Sequence, residues 1–360
     1  LILSFSLINL YLSFSHEVFR MGFQVNDGSP DLFDTLVRNR PTNEVLERIN
    51  EIIDWRRVRK LLAKCYSNSK EGACGYDPVI LAKMMLLESL YDLSDVKVSR
   101  ECADRLSFRA FLGLDLDDSV PDDTTLVRFR NRLRGRKVLD KLNALILEMI
   151  EKQGLSVKGG AMIDASLVPA ASSPPSPKKK EDEAEKKEDD SVTDNKSKTS
   201  ENRYRTRDCE ASWGGKLKKF VFGWKLHLSR DVETGLVRSH EVTTASTHDI
   251  NVFEELLTGT ETLVLADKAY GSEERRKMLK ENGIVDGIMR KSVKGKDYLK
   301  EIFAPLNRLI GRYRAPVENT FANLKRWRGM SRARFLGLEK TKEQATWSIM
   351  AHNLMIAAKT

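Results

Sequence analysis

At 360 residues the chain is long enough for two domains, each with a core of its own. An apolar share of 41% is ordinary for a globular protein, and a formal net charge of +9 points to an anionic partner. Four cysteines (Cys65, Cys74, Cys102, Cys209) without a CxxC pair exclude a disulfide scaffold, argue against a zinc site and fit reduced thiols in the cytoplasm.

The opening "LILSFSLINLYLSFS" is apolar but lacks the charged flank of a signal peptide. It is too short and too rich in Ser for a membrane span. Met21 begins more ordinary sequence, so residues 1–20 are expected to be a leader foreign to the fold. From Asn43 to about Tyr66 apolar residues recur at helical spacing. "DPVILAKMMLLESLYDLS" predicts a helix starting at Pro78, and "SRECADRLSFRAFLGL" another ending at Gly113. "DDSVPDDTTLVRFRNRL" predicts a turn, a cap at Asp123 or Thr124, and a helix carrying Arg128, Arg130, Arg132 and Arg134. An apolar helix over about 136–153 completes an all-helical first half, the expected domain 21–153.

After "KGG" the pattern changes. "AMIDASLV" reads as a strand interrupted by Asp164. Residues 171–207 have almost no apolar side chain to bury, and predict a disordered, dispensable insertion. "KKFVFGWKLHLSRD" and "LVRSHEVTTAS" predict an antiparallel hairpin about the turn "ETG". "NVFEELL" predicts a short helix, "TLVLAD" a buried strand, and "SEERRKMLKENG" a helix capped by Ser272 and closed by Gly283. "IVDGIM" predicts a strand, followed by a basic loop, a helix over residues 311–334, and a last helix over "EQATWSIMAHNLMIAA". Strands alternating with helices predict a three-layer α/β domain over 158–360.

Charge is concentrated late in the chain. From Arg290 to Arg334 there are thirteen basic residues and three acids, a net +10. Asp164 interrupts an apolar strand, Asp267 ends one, and Glu318 stands alone among Arg312, Arg314, Lys325, Arg326 and Arg328. Two Asp and a Glu converging on one sheet edge suit an oxygen-loving divalent ion such as Mg2+ or Mn2+. Taken singly, each has another reading: a hydrogen-bonded strand acid, a turn acid, and an acid at the positive end of a helix. Glu318 and Lys325 are seven residues apart and share a helix face, with Val317, Phe321 and Leu324 as the neighbouring apolar stripe. His227 alternates with apolar residues, as a strand-face histidine does. His248 and Asp208 are candidate supporting groups, and Trp213 and Trp327 candidate stacking surfaces.

The blocks "IDAS", "FGWKLHLSRDVETGL", "VTTASTHD", "LADKAYGS" and "RAPVENTFANLKRWRG" occur in an order and spacing that resemble the DDE transposases of bacterial insertion sequences, in the IS-four/IS-five superfamily. "DPVILAKMMLLESLYDLSD" and "LSFRAFLGLDLDDSVPDDTTLVRFRNRL" resemble their helical N-terminal domain, with Asp123 where a His is usual. The resemblance implies a ribonuclease-H-like catalytic domain after an all-helical DNA-binding domain. It implies Asp164, Asp267 and Glu318 as catalytic and metal-binding acids with two Mg2+ or Mn2+ ions. The signature Tyr-x2-Arg-x3-Glu-x6-Lys falls on Arg314, Glu318 and Lys325, with Gly311 at the Tyr position and Tyr313 nearby. Arg314, Lys325, Arg326, Arg328, Arg128, Arg130 and Arg132 become candidate phosphate contacts. Expected partners are double-stranded DNA, as terminal repeats and target, and a second copy of the chain on that DNA. No membrane partner is expected, and the location is cytoplasmic, at the nucleoid. A catalytically degenerate DNA-binding relic and a structure-specific nuclease on the same fold are the alternatives.

Overall fold

A computed structural model of the chain describes residues 43–66, 75–155, 159–174, 207–216, 219–291 and 297–360. The expectations for residues 1–20 and for nearly all of the insertion, 175–206, lie outside the described residues. The chain forms two compact units. The first comprises the chain up to Val157 with Trp327–Gly329 and Thr346–Thr360; the second comprises Lys158–Arg326 and Met330–Ala345. The last helix therefore contributes residues to both units, a division that sequence order does not reveal.

The first unit is helical. The predicted helix over 43–66 is two helices, α1 (Glu44–Ile52) and α2 (Trp55–Leu62). The break is local: Asp54 caps α2 by accepting from the amides of Arg56 and Arg57, and a cap residue leaves helical geometry. α3 (Pro78–Tyr91) starts with Asp77 as cap and Pro78 in the first turn, and residues 78–90 are buried on every side. A helix enclosed all round forms the centre of a bundle, here with α4 (Asp95–Asp104), α5 (Leu106–Leu112), α6 (Asp123–Arg136) and α7 (Leu139–Lys152) around it. Its two buried ions have partners. Lys83 donates to the Phe111 carbonyl at 2.7 Å and lies over the Trp55 ring, while Glu88 meets Arg130 at 2.9 Å. Burial lowers the Lys83 pKa to about 8. The α6 cap is Asp122, which accepts from the Thr125 amide at 2.7 Å, rather than Asp123 or Thr124.

The second unit is built on a mixed sheet. β1 (Gly160–Pro169) runs antiparallel to β3 (Lys219–Asp231) on one side and parallel to β5 (Leu263–Ala266) on the other. β6 (Val285–Ile288) extends the parallel side. Along the outer edge of β3, β4 (Val237–Thr244) pairs with residues 224–230 and the short β2 (Ser212–Lys216) with residues 219–223. The order in this six-stranded sheet is therefore β4/β2-β3-β1-β5-β6, with antiparallel pairing among β4, β2, β3 and β1 and parallel pairing from β1 through β5 to β6. This is a ribonuclease-H-like sheet flanked by helices. Ala161, Ile163, Val264, Ala266 and Ile288 pack against Phe253, Leu256, Tyr270 and Leu279 to form its core.

The hairpin, both parallel strands and α8 (Glu273–Glu281, capped by Ser272) follow the predicted pattern. Four elements do not. β2, "SWGGK", was not predicted because two glycines mask its alternation. "NVFEELL" forms two 3-10 turns, Asp249–Val252 and Glu254–Leu256. Most of the expected basic loop is α9 (Asp297–Arg314), which holds Pro305 within it. α10 (Pro316–Trp327) buries the predicted Val317, Phe321 and Leu324 together with Thr320, and α11 (Leu338–Ala357) begins earlier than predicted.

Candidate active site

The parallel pairing of β1 with β5 sets Ile163 beside Ala266. The next residues are Asp164 and Asp267, so the two acids stand side by side where the paired segment ends, on strands about 4.8 Å apart. The carboxyl ends of parallel strands are where open α/β sheets place ligands. Asp164 Oδ1 accepts from the Ala165 amide at 2.9 Å, and Asp267 Oδ1 accepts from the Lys268 amide at 2.7 Å, capping the 3-10 turn Lys268–Tyr270. Burial raises the pKa of Asp164; the Arg314 guanidinium pulls it back and the negative charge of Asp267 raises it further.

Arg314, the last residue of α9, donates to Asp164 Oδ2 at 2.6 Å, with both side chains mostly buried. Sequence reading gave Arg314 a phosphate; here it is the counter-ion of an acid. Lys325, on the following helix, donates to Ser166 Oγ at 2.8 Å and to the Leu167 carbonyl at 2.7 Å. It ties α10 to β1 two and three residues beyond Asp164. Glu318 lies between these anchors, four residues after Arg314, and is exposed.

Tyr270, not singled out from the sequence, closes the floor. It is 1% exposed, and its hydroxyl is buried without a hydrogen-bond partner. Burial raises its pKa, and the nearby charges of Asp249, Asp164 and Asp267 raise it further. Its place three residues after Asp267 in "LADKAYGS" was the available signal.

The remaining candidates divide by burial. Arg130 is 5% exposed and bonded to Glu88 and Asp95, so it holds the bundle together and is not available to DNA. Arg328 is 7% exposed, donates to the Leu90 carbonyl, and belongs to the interior of the first unit. Arg128, Arg132 and Arg326 are exposed, with the Arg132 guanidinium over the Tyr66 ring. Asp208 is buried and accepts from the Gly337 amide at 3.2 Å, a loop-fastening role. His248 precedes the 3-10 turn at Asp249. His227 is a buried strand histidine, as expected.

Residues 156–354 match the Transposase DDE domain family, and residues 34–132 match the Transposase domain (DUF772) family. The chain belongs to the DDE transposases. It is an enzyme of an insertion element that binds, cleaves and transfers DNA strands and depends on a divalent metal. No solved structure matches the chain. Cys65 and Cys102 are buried free thiols and Cys209 is an exposed one, while Cys74 lies outside the described residues. Among the described residues no helix is long and apolar enough to cross a membrane.

The acids of this transposase fit a divalent ion as a pair more than as a triad. Among the described residues no group of three His, Cys, Asp or Glu side chains stands close enough to hold a metal. Asp164 and Asp267 supply adjacent carboxylate oxygens, the donors a hard divalent cation takes. One of them already draws a cation, the Arg314 guanidinium. Glu318 stays outside the pair.

Proposed function

We propose that Asp164, Asp267 and Glu318 are the acids of the strand-cleaving centre, served by two Mg2+ or Mn2+ ions. The substrate in this reading is a terminal inverted repeat of the element, handled by two copies of the chain. The observation that carries it is that Asp164 stands beside Asp267 where the parallel pairing of β1 with β5 ends, with Arg314 closing on Asp164 and Glu318 one turn further along. When bound, the ions supply Lewis-acid activation of water and stabilise charge on the leaving oxygen of an in-line displacement.

The chain's own residues do the rest. Asp164 and Asp267 would hold the divalent ion that meets the reacting phosphate at the sheet edge. Lys325 clamps α10 to β1, so Glu318 is carried on a helix that cannot slide along the strand. Arg314, once released from Asp164, has its guanidinium free for a phosphate flanking the scissile bond. Arg326, Arg128 and Arg132 are exposed cations for the DNA backbone. The freed 3′-hydroxyl then attacks a phosphodiester of the target strand at the same centre, forming the new phosphodiester bond and displacing the target's own 3′-oxygen, which leaves as a 3′-hydroxyl, with no covalent link between protein and DNA.

Asp267→Ala and Glu318→Ala should each abolish metal-dependent nicking of a duplex carrying the element end. Affinity for that duplex in a gel shift should stay level or rise, because a negative charge leaves a phosphate-binding surface. Cleavage at the wild-type rate by either variant would refute the assignment.

A further inference from the structure

α9 is an 18-residue helix whose two sides have different surroundings. The inner side is anchored. Asn307 accepts from the Arg290 amide at 2.8 Å and donates to its carbonyl at 3.0 Å, Ile310 is buried, and Arg314 closes on Asp164. The outer side is apolar. Tyr298, Ile302, Leu306, Leu309 and Tyr313 are all exposed, from 42% at Leu306 to 63% at Ile302. Their spacings of four, four, three and four residues set them in one stripe about 22 Å long. Single apolar side chains are ordinary on a surface, whereas a contiguous stripe of large ones marks a contact. Among the described residues none covers this stripe.

Its symmetry says what does. Reversing the helix direction maps Tyr298 onto Tyr313 and Ile302 onto Leu309, with Leu306 falling on Pro305 at the midpoint. An apolar face that reads alike in both directions fits an antiparallel copy of itself, as in a twofold interface where one patch serves both chains.

The charges beside the stripe match the same arrangement. Glu301, Arg308 and Arg312 are exposed and line one flank of it. Three and four residues after Glu301 stand Ala304 and Pro305, and before it Tyr298 and Asp297, so its own helix offers no cation within reach. In the antiparallel pair Glu301 comes level with Ile310 of the partner subunit. It then lies between the partner's Arg308 and the partner's Arg312, about 3 Å along the axis from each.

We propose that α9 is the surface through which two copies of this chain pair, antiparallel about the point between Pro305 and Leu306. One helix face falls short of the roughly 800 Å² per partner of a standard stable interface. The pairing is therefore weak in the free protein and takes hold where one DNA brings two copies together. The stripe ends at Tyr313, one residue before the guanidinium that closes on Asp164, so the shared face and the candidate active site meet on one helix. The inference rests on the reading that two copies handle an element end, and names the face they share.

Sedimentation velocity of the full-length protein, without DNA or metal, measures the pairing over about 1–300 μM. The wild type should pass from monomer to dimer as concentration rises. Ile302→Asp combined with Leu309→Asp should raise the dimer dissociation constant about thirtyfold or more. Its melt at low concentration should stay as in the wild type, because both side chains face solvent in the single chain. Glu301→Arg, and separately Arg308→Glu with Arg312→Glu, should each weaken self-pairing about tenfold. An equimolar mixture of those two proteins should pair again, because every flank contact then joins opposite charges. A wild type that stays monomeric throughout would overturn the proposal, as would dimers that persist in the aspartate variant or a mixture that does not pair. A large fall in the aspartate variant's melt at low concentration would also overturn it, by assigning the stripe to the chain's own core. Failure of the acid assignment would appear separately, as cleavage surviving Asp267→Ala.

Discussion

Arg314 and His227 show how one side chain's surroundings set its task. Arg314 neutralises a half-buried carboxylate, so Arg314→Gln should lower metal-free stability by about 1–2 kcal/mol, less than the loss of a fully buried partner. Divalent metal should then raise the melting midpoint more in the variant than in the wild type, because no guanidinium has to be displaced. An equal rise in both proteins would mean that the ion pair and the metal do not compete. His227 lies fully buried on β3, its Nε2–H donating to Thr243 Oγ1 at 2.9 Å while that hydroxyl donates to the Thr244 carbonyl. Its Nδ1 is buried without a partner. Burial lowers its pKa from 6.5 to about 4. The folded state thus favours the neutral ring, and the unfolded chain binds the proton first as pH falls. Stability is fully present above pH 6.5 and is lost as pH falls through about 4, by on the order of 3 kcal/mol in all. His227→Gln should flatten chemical-denaturation midpoints across that window; an unaltered pH profile would count against the buried neutral ring.

At the scale of an element, α6 contains two kinds of arginine. Its sequence alternates Arg128, Arg130, Arg132 and Arg134, which reads as a single basic surface. A helix turns 3.6 residues at a time, and Arg130 comes round to the side where Phe129 and Leu133 are buried and where Glu88 and Asp95 wait. Arg130→Ala should cost about 3–5 kcal/mol, since it removes the buried guanidinium that Glu88 and Asp95 share. A thermal melt checks this. Arg128→Ala with Arg132→Ala should leave the melt almost unchanged but reduce the salt slope of DNA binding by about one unit per lost phosphate contact. An unchanged slope would make α6 scaffold alone.

Across the whole molecule, the last helix contributes to both compact units. Trp347, Ile349, Met350 and Leu354 are buried, and all four belong to the first unit. Truncation after residue 345 should therefore destabilise the helical unit, far away in sequence, by on the order of 5 kcal/mol. Limited proteolysis should then open sites within 43–155; a bundle as protected as in the full chain would show that the tail is not part of its core. The basic excess also divides at this scale. Of the late cationic window, Arg314, Lys325 and Arg328 are taken by internal partners and Arg290 pairs with Asp286. Lys291, Arg308, Arg312 and Arg326 are exposed to solvent.

Local sequence determined much of this protein. The helix start at Pro78, the cap at Ser272, apolar periodicity, and the strands around Asp164 and Asp267 depend on neighbours a few residues away, and so could be read from the chain. The family blocks carried the acids in order. Tertiary structure decided what long-range partners decide. β2 exists because β3 pairs with it, despite its two glycines. α9 forms around Pro305 where a basic loop was expected, and the Asn307 side-chain amide fastens it to Arg290, accepting from the Arg290 amide and donating to its carbonyl. Charge composition counted the arginines, but only the fold separates Arg130 and Arg328, which are buried and bond to groups inside, from those left to solvent. A side chain's charge belongs to its residue type, whereas its availability depends on which groups the folded chain brings within hydrogen-bond reach.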